Sequence, residues 1–250
     1  MMNMTDTVKQ LLIINVIFFV GVLIVGPPAY QYLSMYFPEN PMFRAWQPLT
    51  NMFMHADFRH ILFNMLSLYI FGSVLENLWG AKKFLFFYIS CGLGAVALHI
   101  AINYISWFHA LSALADAGYS YDQVIATLRG PEGYNSDWEN VLTPLEMQNF
   151  LGGYTSSLLG ASGAIYGLMV AFAFLFPNHE MFLLFLPISI KAKYLIGGTV
   201  ILDMYLGYIG HSIFGVSSGI AHFAHIGGAF IGYIMMHYWS KNSFNNRRWN

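Results

Sequence analysis

Apolar stretches long enough to cross a bilayer recur along this chain, and no other feature restricts its fold so tightly. They run at roughly 9–26, 60–79, 84–105, 162–177, 194–214 and 222–240. Charge agrees: charged residues make up 9% of the 250 residues, where a soluble domain carries about 25%. With so few charges the surface cannot be a water-facing one, so the expected solvent is lipid. The sequence therefore predicts an all-α membrane protein, six transmembrane helices bundled into a single domain over residues 1–250. The first stretch is followed by Gly26-Pro27-Pro28 and aromatics, with no small-residue cleavage site, so it is expected to stay as a span.

Six crossings put both termini on one side. Placing them inside collects Lys9, Lys82, Lys83, Lys191, Lys193, Lys241, Arg247 and Arg248 there, leaving only Arg44, Arg59 and Arg129 outside. That asymmetry predicts cytoplasmic termini. A net charge of -1 gives no reason to expect a nucleic-acid partner. The single cysteine, Cys91, excludes an intramolecular disulfide and a thiolate metal cluster. Two connections stand out. Residues 27–59 are rich in aromatics and proline and are expected to pack against membrane and protein. Residues 106–161 form the longest extramembrane segment, with helical periodicity in 108–117 and 120–128 and a turn at Gly130-Pro131-Glu132-Gly133.

Polar groups inside a span are costly and point to function. His60 with Asn64, Ser162 within Gly160-Ala161-Ser162-Gly163, Asp203, and His222 with His225 qualify. At about 1.5 Å per residue, Ser162 lies about 22 Å from the interior break at Pro177. His225 lies about 21 Å from Trp239, and Asn64 about 24 Å from Gly80. Three polar groups on three helices thus share one layer, somewhat below the outer surface of a core about 30 Å thick.

The residue types in that layer suit nucleophilic catalysis. A serine hydroxyl needs a base to take its proton, and histidine is the usual one. Ser162 opens its span, among free helix N-terminal amides that favour a developing oxyanion. His60 and Asn64, four residues apart, share a helix face, as do Ser162 and Tyr166, whose ring is in reach of an imidazole. Gly163 with Gly167 and Gly228 with Gly232 are small-xxx-small pairs that let two helices approach closely. His222 competes with His225 as the base, and the glycines following His225 favour the latter. Asp203, the one acid in the middle of a span, is expected to bond a neighbouring helix rather than to take part in catalysis. His99, His109, His179, His211 and His237 are expected to be interfacial or packing residues.

These residues resemble the rhomboid family of intramembrane serine proteases. The resemblance rests on Gly160-x-Ser162-Gly163 with Tyr166, on Ala224-His225-x-x-Gly228-x-x-x-Gly232, and on His60-x-x-x-Asn64 preceded by His55. It extends to Arg44 and Trp46 in the first loop and Glu76-x-x-x-Gly80 at the end of the second span. It implies a Ser162–His225 dyad, without a third carboxylate, and an oxyanion hole from the Ser162 amide, His60 and Asn64. It implies that Tyr166 orients His225, that His55 anchors a loop near the site, and that Arg44, Trp46 and Glu76 are structural. The implied activity is hydrolysis of a peptide bond in or beside a transmembrane helix of a membrane-protein substrate, with no metal or organic cofactor. A cell membrane is the implied location, plasma or bacterial inner. The alternative is a non-catalytic rhomboid-like binder or chaperone of membrane proteins. The resemblance says nothing of 106–161, expected either as short helices on the outer leaflet near the site or as a tolerated surface insertion.

Overall fold

The computed structural model describes residues 3–182, 189–209 and 220–243. Helix α1 (Asp6–Val25) ends at Gly26, whose φ of 74° turns the chain into the short α2 (Pro27–Leu33). A first loop containing α3 (Gln47–Thr50) leads to a long apolar helical stretch. That stretch consists of α4 (Phe58–Ser67), one π-helical turn (Leu68–Gly72) and α5 (Ser73–Trp79). It is followed by α6 (Ala81–Asp116), α7 (Tyr121–Arg129), α8 (Pro144–Thr155) and α9 (Ser162–Leu175). Strands β1 (Glu180–Phe182) and β2 (Ser189–Lys191) pair antiparallel with Met181 opposite Ile190. Helices α10 (Ala192–Ile209) and α11 (Ile220–Ser243) complete the described chain. The end of the expected fifth span at 210–214, His211, Arg247 and Arg248 lie outside the described residues.

Among the described residues, three helical stretches are long and apolar enough to cross a membrane: Asp6–Val25, Phe58–Trp79 and Ala81–Asp116. Helix α9 is apolar but has only 14 residues. The outward faces of α1 and α10 carry Ile17, Ile24, Ile201 and Tyr208 well exposed. Such faces suit lipid and would associate in water.

Helix α6 is longer than the sequence reading allowed. No glycine or proline interrupts it between Gly94 and Gly118, so it runs 36 residues, about 54 Å. The stretch 108–117, expected to be a separate short helix, is its final turns. Gly118, at φ 94°, ends it. Helices α7 and α8 fold back onto this extension and bury Trp107, Leu114, Val124, Leu128, Trp138 and Phe150 in a core of their own. Both begin with a capping box, Ser120 with Gln123 and Thr143 with Glu146, which satisfies the first free amides. The segment 106–161 is thus a folded cap. It is tied to the first loop by Asn40 Nδ2 donating to the Tyr154 carbonyl at 2.7 Å and by paired backbone bonds between Met35 and Leu158.

Beneath the cap, α6, α9 and α11 form the central packing unit, and glycines set its spacing. A Cβ added at Gly228 of α11 would lie 1.8 Å from the Gly163 carbonyl oxygen of α9, and one at Gly232 would lie 2.8 Å from Gly167 Cα. A Cβ at Gly227 would meet the Gly94 carbonyl of α6 at 2.7 Å. Backbone therefore rests on backbone along the α9–α11 seam. At the opposite end, the buried Glu76 carboxylate accepts bonds from the Thr7 and Val8 amides at 3.0 and 2.9 Å and from the Thr5 hydroxyl. It thus caps the α1 N-terminus from another helix, where Thr5 makes no cap of its own.

Candidate active site

Ser162 is the first residue of α9, and the strand-like approach to it is clamped by the first loop. The Gly160 amide donates to the Asn51 carbonyl at 2.9 Å, and Leu158 exchanges two backbone bonds with Met35. Gly160 has φ 125°, a conformation an L side chain rarely adopts. A Cβ there would also lie 2.9 Å from His60 Nε2 and 3.5 Å from Ser162 Oγ. The His60 imidazole and the Ser162 hydroxyl therefore flank the same small gap, which only glycine leaves open.

The α9–α11 seam brings His225 to Ser162, with Nε2 2.9 Å from Oγ. The Tyr166 ring, one turn along α9, stacks on the His225 imidazole with centroids 4.3 Å apart and planes 8° from parallel. His225 keeps about a quarter of its side-chain surface, so the pair is accessible from one side. A cavity of about 10 Å³ lies behind Ser162, between Met52, Gly92, Leu158 and Gly163, which is about the size of one water.

Asn64 and His60 stand on α4, whose start is capped by Asp57 accepting from the His60 amide at 2.8 Å. Asn64 is buried, and one amide hydrogen donates to the His60 carbonyl at 2.9 Å. That local bond occupies one of the amide's two donors. His55, fully buried in the loop before α4, packs its ring edgewise on His60 with centroids 5.0 Å apart. Burial, and secondarily the neighbouring His60, pushes the His55 imidazole down to about 4.

Arg44 is exposed and donates to the carbonyls of Pro41 and Phe43, while the Trp46 indole donates to the Tyr32 carbonyl at 2.9 Å. The interior of that loop is organised by two residues the sequence reading did not single out. Gln47, fully buried, accepts from the Tyr36 and Arg44 amides and donates to the Gln31 and Met42 carbonyls. Asn51 donates to Gln47 and Pro48 and offers the carbonyl that holds Gly160. No motif marks them; the available signal was the amide side chains of a loop rich in aromatics and proline, Gln31, Asn40, Gln47 and Asn51.

Asp203 bonds a neighbouring helix, as expected: from α10 it contacts His222 Nδ1 of α11 directly. Its Oδ2 also lies 3.4 Å from His225 Nδ1, a carboxylate beside the histidine that the resemblance did not imply. His222 therefore faces the acid, and His225 faces Ser162. Asp203, His222 and His225 have ligand atoms within 4.8 Å of one another, the one such group of three among the described residues. Of the other histidines, His99 bonds Asn103, His109 pairs with Glu146 at 3.5 Å, His179 packs on Phe172 and His237 stacks on Tyr233.

Residues 42–122 and 139–242 match the Rhomboid domain family, which is well over half of the chain. The chain belongs to the rhomboid family. It is similar to rhomboid protein 1, mitochondrial, of Saccharomyces cerevisiae, with 24% identity over 192 residues, covering 76% of this chain and 40% of the yeast protein. It is also similar to an uncharacterized mitochondrial rhomboid protein of Schizosaccharomyces pombe, with 27% identity over 175 residues, 61% of this chain and 43% of that one. A rhomboid protein of Bacillus subtilis, YdcA, is 38% identical over 48 residues, 19% of this chain and 24% of that protein. The chain thus spans about two fifths of the length of its fungal relatives. The gap in the family match, between residues 122 and 139, falls within the cap and takes in most of α7 and the turn that follows it.

Proposed function

We propose that this rhomboid is an intramembrane serine endopeptidase acting on peptide bonds in or next to transmembrane helices of membrane-protein substrates. The observation that carries the proposal is the 2.9 Å approach of His225 Nε2 to Ser162 Oγ, made by two helices whose glycine seam fixes their spacing. His225 takes the Ser162 proton as Oγ attacks the scissile carbonyl, then passes it to the leaving amine. Water attacks the acyl-serine in the second half, with His225 again as base. The carbonyl oxygen turned oxyanion meets the Ser162 amide at the start of α9, together with donors from His60 and Asn64. Asn64 supplies its second amide hydrogen, the first being held by His60.

The proposal includes six crossings with both termini on the cytoplasmic face, supported by the Lys and Arg distribution. It includes a plasma or bacterial inner membrane as the location, although the two fungal relatives carry mitochondrial names. The non-catalytic alternative, a binder or chaperone of membrane helices, makes no use of the hydroxyl–imidazole contact. The deciding experiment incubates purified protein in liposomes with a single-span substrate. Wild type should cleave it, and Ser162→Ala should lower cleavage at least about a thousandfold while melting normally. Equal cleavage by Ser162→Ala would overturn the proposal, and binding without cleavage by wild type would favour the alternative.

A further inference from the structure

Asp203 is an acid in the middle of α10, 5% exposed, and such a group is retained in a lipid-facing helix only where something answers it. Its two oxygens face two histidines of α11. One contacts His222 Nδ1, and the other lies 3.4 Å from His225 Nδ1. Asp203 Oδ2 and His225 Nδ1 are both buried, and neither has a hydrogen-bond partner of good geometry. Two orphaned atoms of complementary type thus face each other across a gap that a small ring rotation closes. Resting catalytic bonds are often this long and tighten when substrate is bound.

The chemistry requires such a partner. For His225 Nε2 to take the serine proton it must present its lone pair, so in the neutral ring the hydrogen sits on Nδ1. A buried N–H there needs an acceptor, and the imidazolium formed during attack needs a countercharge. Resting on the hydrolytic function proposed above, we infer that Asp203 is a positioning residue for His225. It completes a Ser162–His225–Asp203 line across α9, α11 and α10, with His222 holding the carboxylate. Asp203 takes no proton at any step: the proton moves from Oγ to Nε2 as the C–O bond forms, then to the amine as the C–N bond breaks. The ionisable groups around His225 are Asp203 from α10, His222 from its own helix, Tyr166 from α9 and His60 from α4.

The test is steady-state cleavage of a single-span substrate in liposomes from pH 5 to 9, with wild type, Asp203→Asn and Asp203→Glu. Asp203→Asn keeps the shape but offers an amide where a carboxylate is needed. It should lower kcat about a hundredfold with KM changed less than about twofold. It should also move the acid limb of the rate profile down by about one pH unit, because the imidazolium loses its countercharge. Asp203→Glu should recover part of the lost kcat. Should Asp203→Asn melt early, Asp203→Glu decides the matter: kcat closer to wild type at an unchanged KM supports the inference, and a well-folded Asp203→Glu that cleaves no better than Asp203→Asn overturns it. A well-folded Asp203→Asn with the wild-type kcat and limb also overturns it, as does a rise in KM alone, which marks a mere tether of α10. Failure of wild type to cleave refutes the hydrolytic function instead.

Discussion

Gly228→Ala adds one methyl group where α11 crosses α9, and its consequence follows from the spacing of the two helices. The new Cβ would lie 1.8 Å from the Gly163 carbonyl oxygen, against the 3.4 Å at which ordinary contact begins, a deficit of about 1.6 Å. The obstacle is backbone, so no side-chain rotation relieves it, and the helices must separate. Overpacking of this kind costs about 1–3 kcal/mol. His225 and Ser162 sit less than one turn along from this contact, so the same movement lengthens their 2.9 Å bond toward about 4.5 Å. A misplacement of about 1 Å at a reacting pair costs roughly a hundredfold in rate. Melting in detergent and cleavage in liposomes should therefore fall together for Gly228→Ala. Gly198→Ala on α10, where nothing lies within 4 Å, is the control and should leave both near wild type. A Gly228→Ala protein with wild-type melting and cleavage would refute the claim that backbone contact along this seam sets the site geometry.

Three further outcomes follow from the fold. Glu76→Ala leaves the Thr7 and Val8 amides without their acceptor and should destabilise the protein by about 2–3 kcal/mol in detergent melts, with Glu76→Gln costing less. His55 is held near 4 in the fold against 6.5 unfolded, so the unfolded chain binds the extra proton between those values. The stability it contributes is full above pH 6.5 and is lost as pH falls toward 4, on the order of 3 kcal/mol in all. Melting of His55→Leu should be correspondingly flatter over that window. Trp138→Ala, at a side chain 1% exposed in the cap core, should cost about 3–5 kcal/mol of cap stability, read as faster amide exchange in α7 and α8 than in α9.

Much of this arrangement was legible in the residues because lipid leaves little freedom: length and polarity mark helices, and a polar group at depth marks a site. The glycine pairs on α9 and α11 pointed to close packing because no other side chain permits it. The cap was misread for a nameable reason. The apolar run was ended at residue 105 by bilayer length, whereas the backbone stops only where a breaker occurs, at Gly118. Deleting 112–140 would consequently expose Trp107 and Phe150 rather than trim a loop. Asp203 was visible as a lone intramembrane acid expected to bond a neighbouring helix, but nothing in the sequence said which helix or which side chain. The close α10–α11 packing brings it to His222 and His225. Gln47 and Asn51 act through backbone carbonyls and amides of a loop, a pattern without periodicity to read.

Reaction with a fluorophosphonate, with the modified residue mapped by mass spectrometry, tests the central claim most directly. Ser162 should carry the phosphonyl group in the wild-type protein, and His225→Ala should lose it while melting normally. Absence of adduct at Ser162 in the folded wild type, or undiminished labelling in His225→Ala, would contradict activation of that hydroxyl by that imidazole.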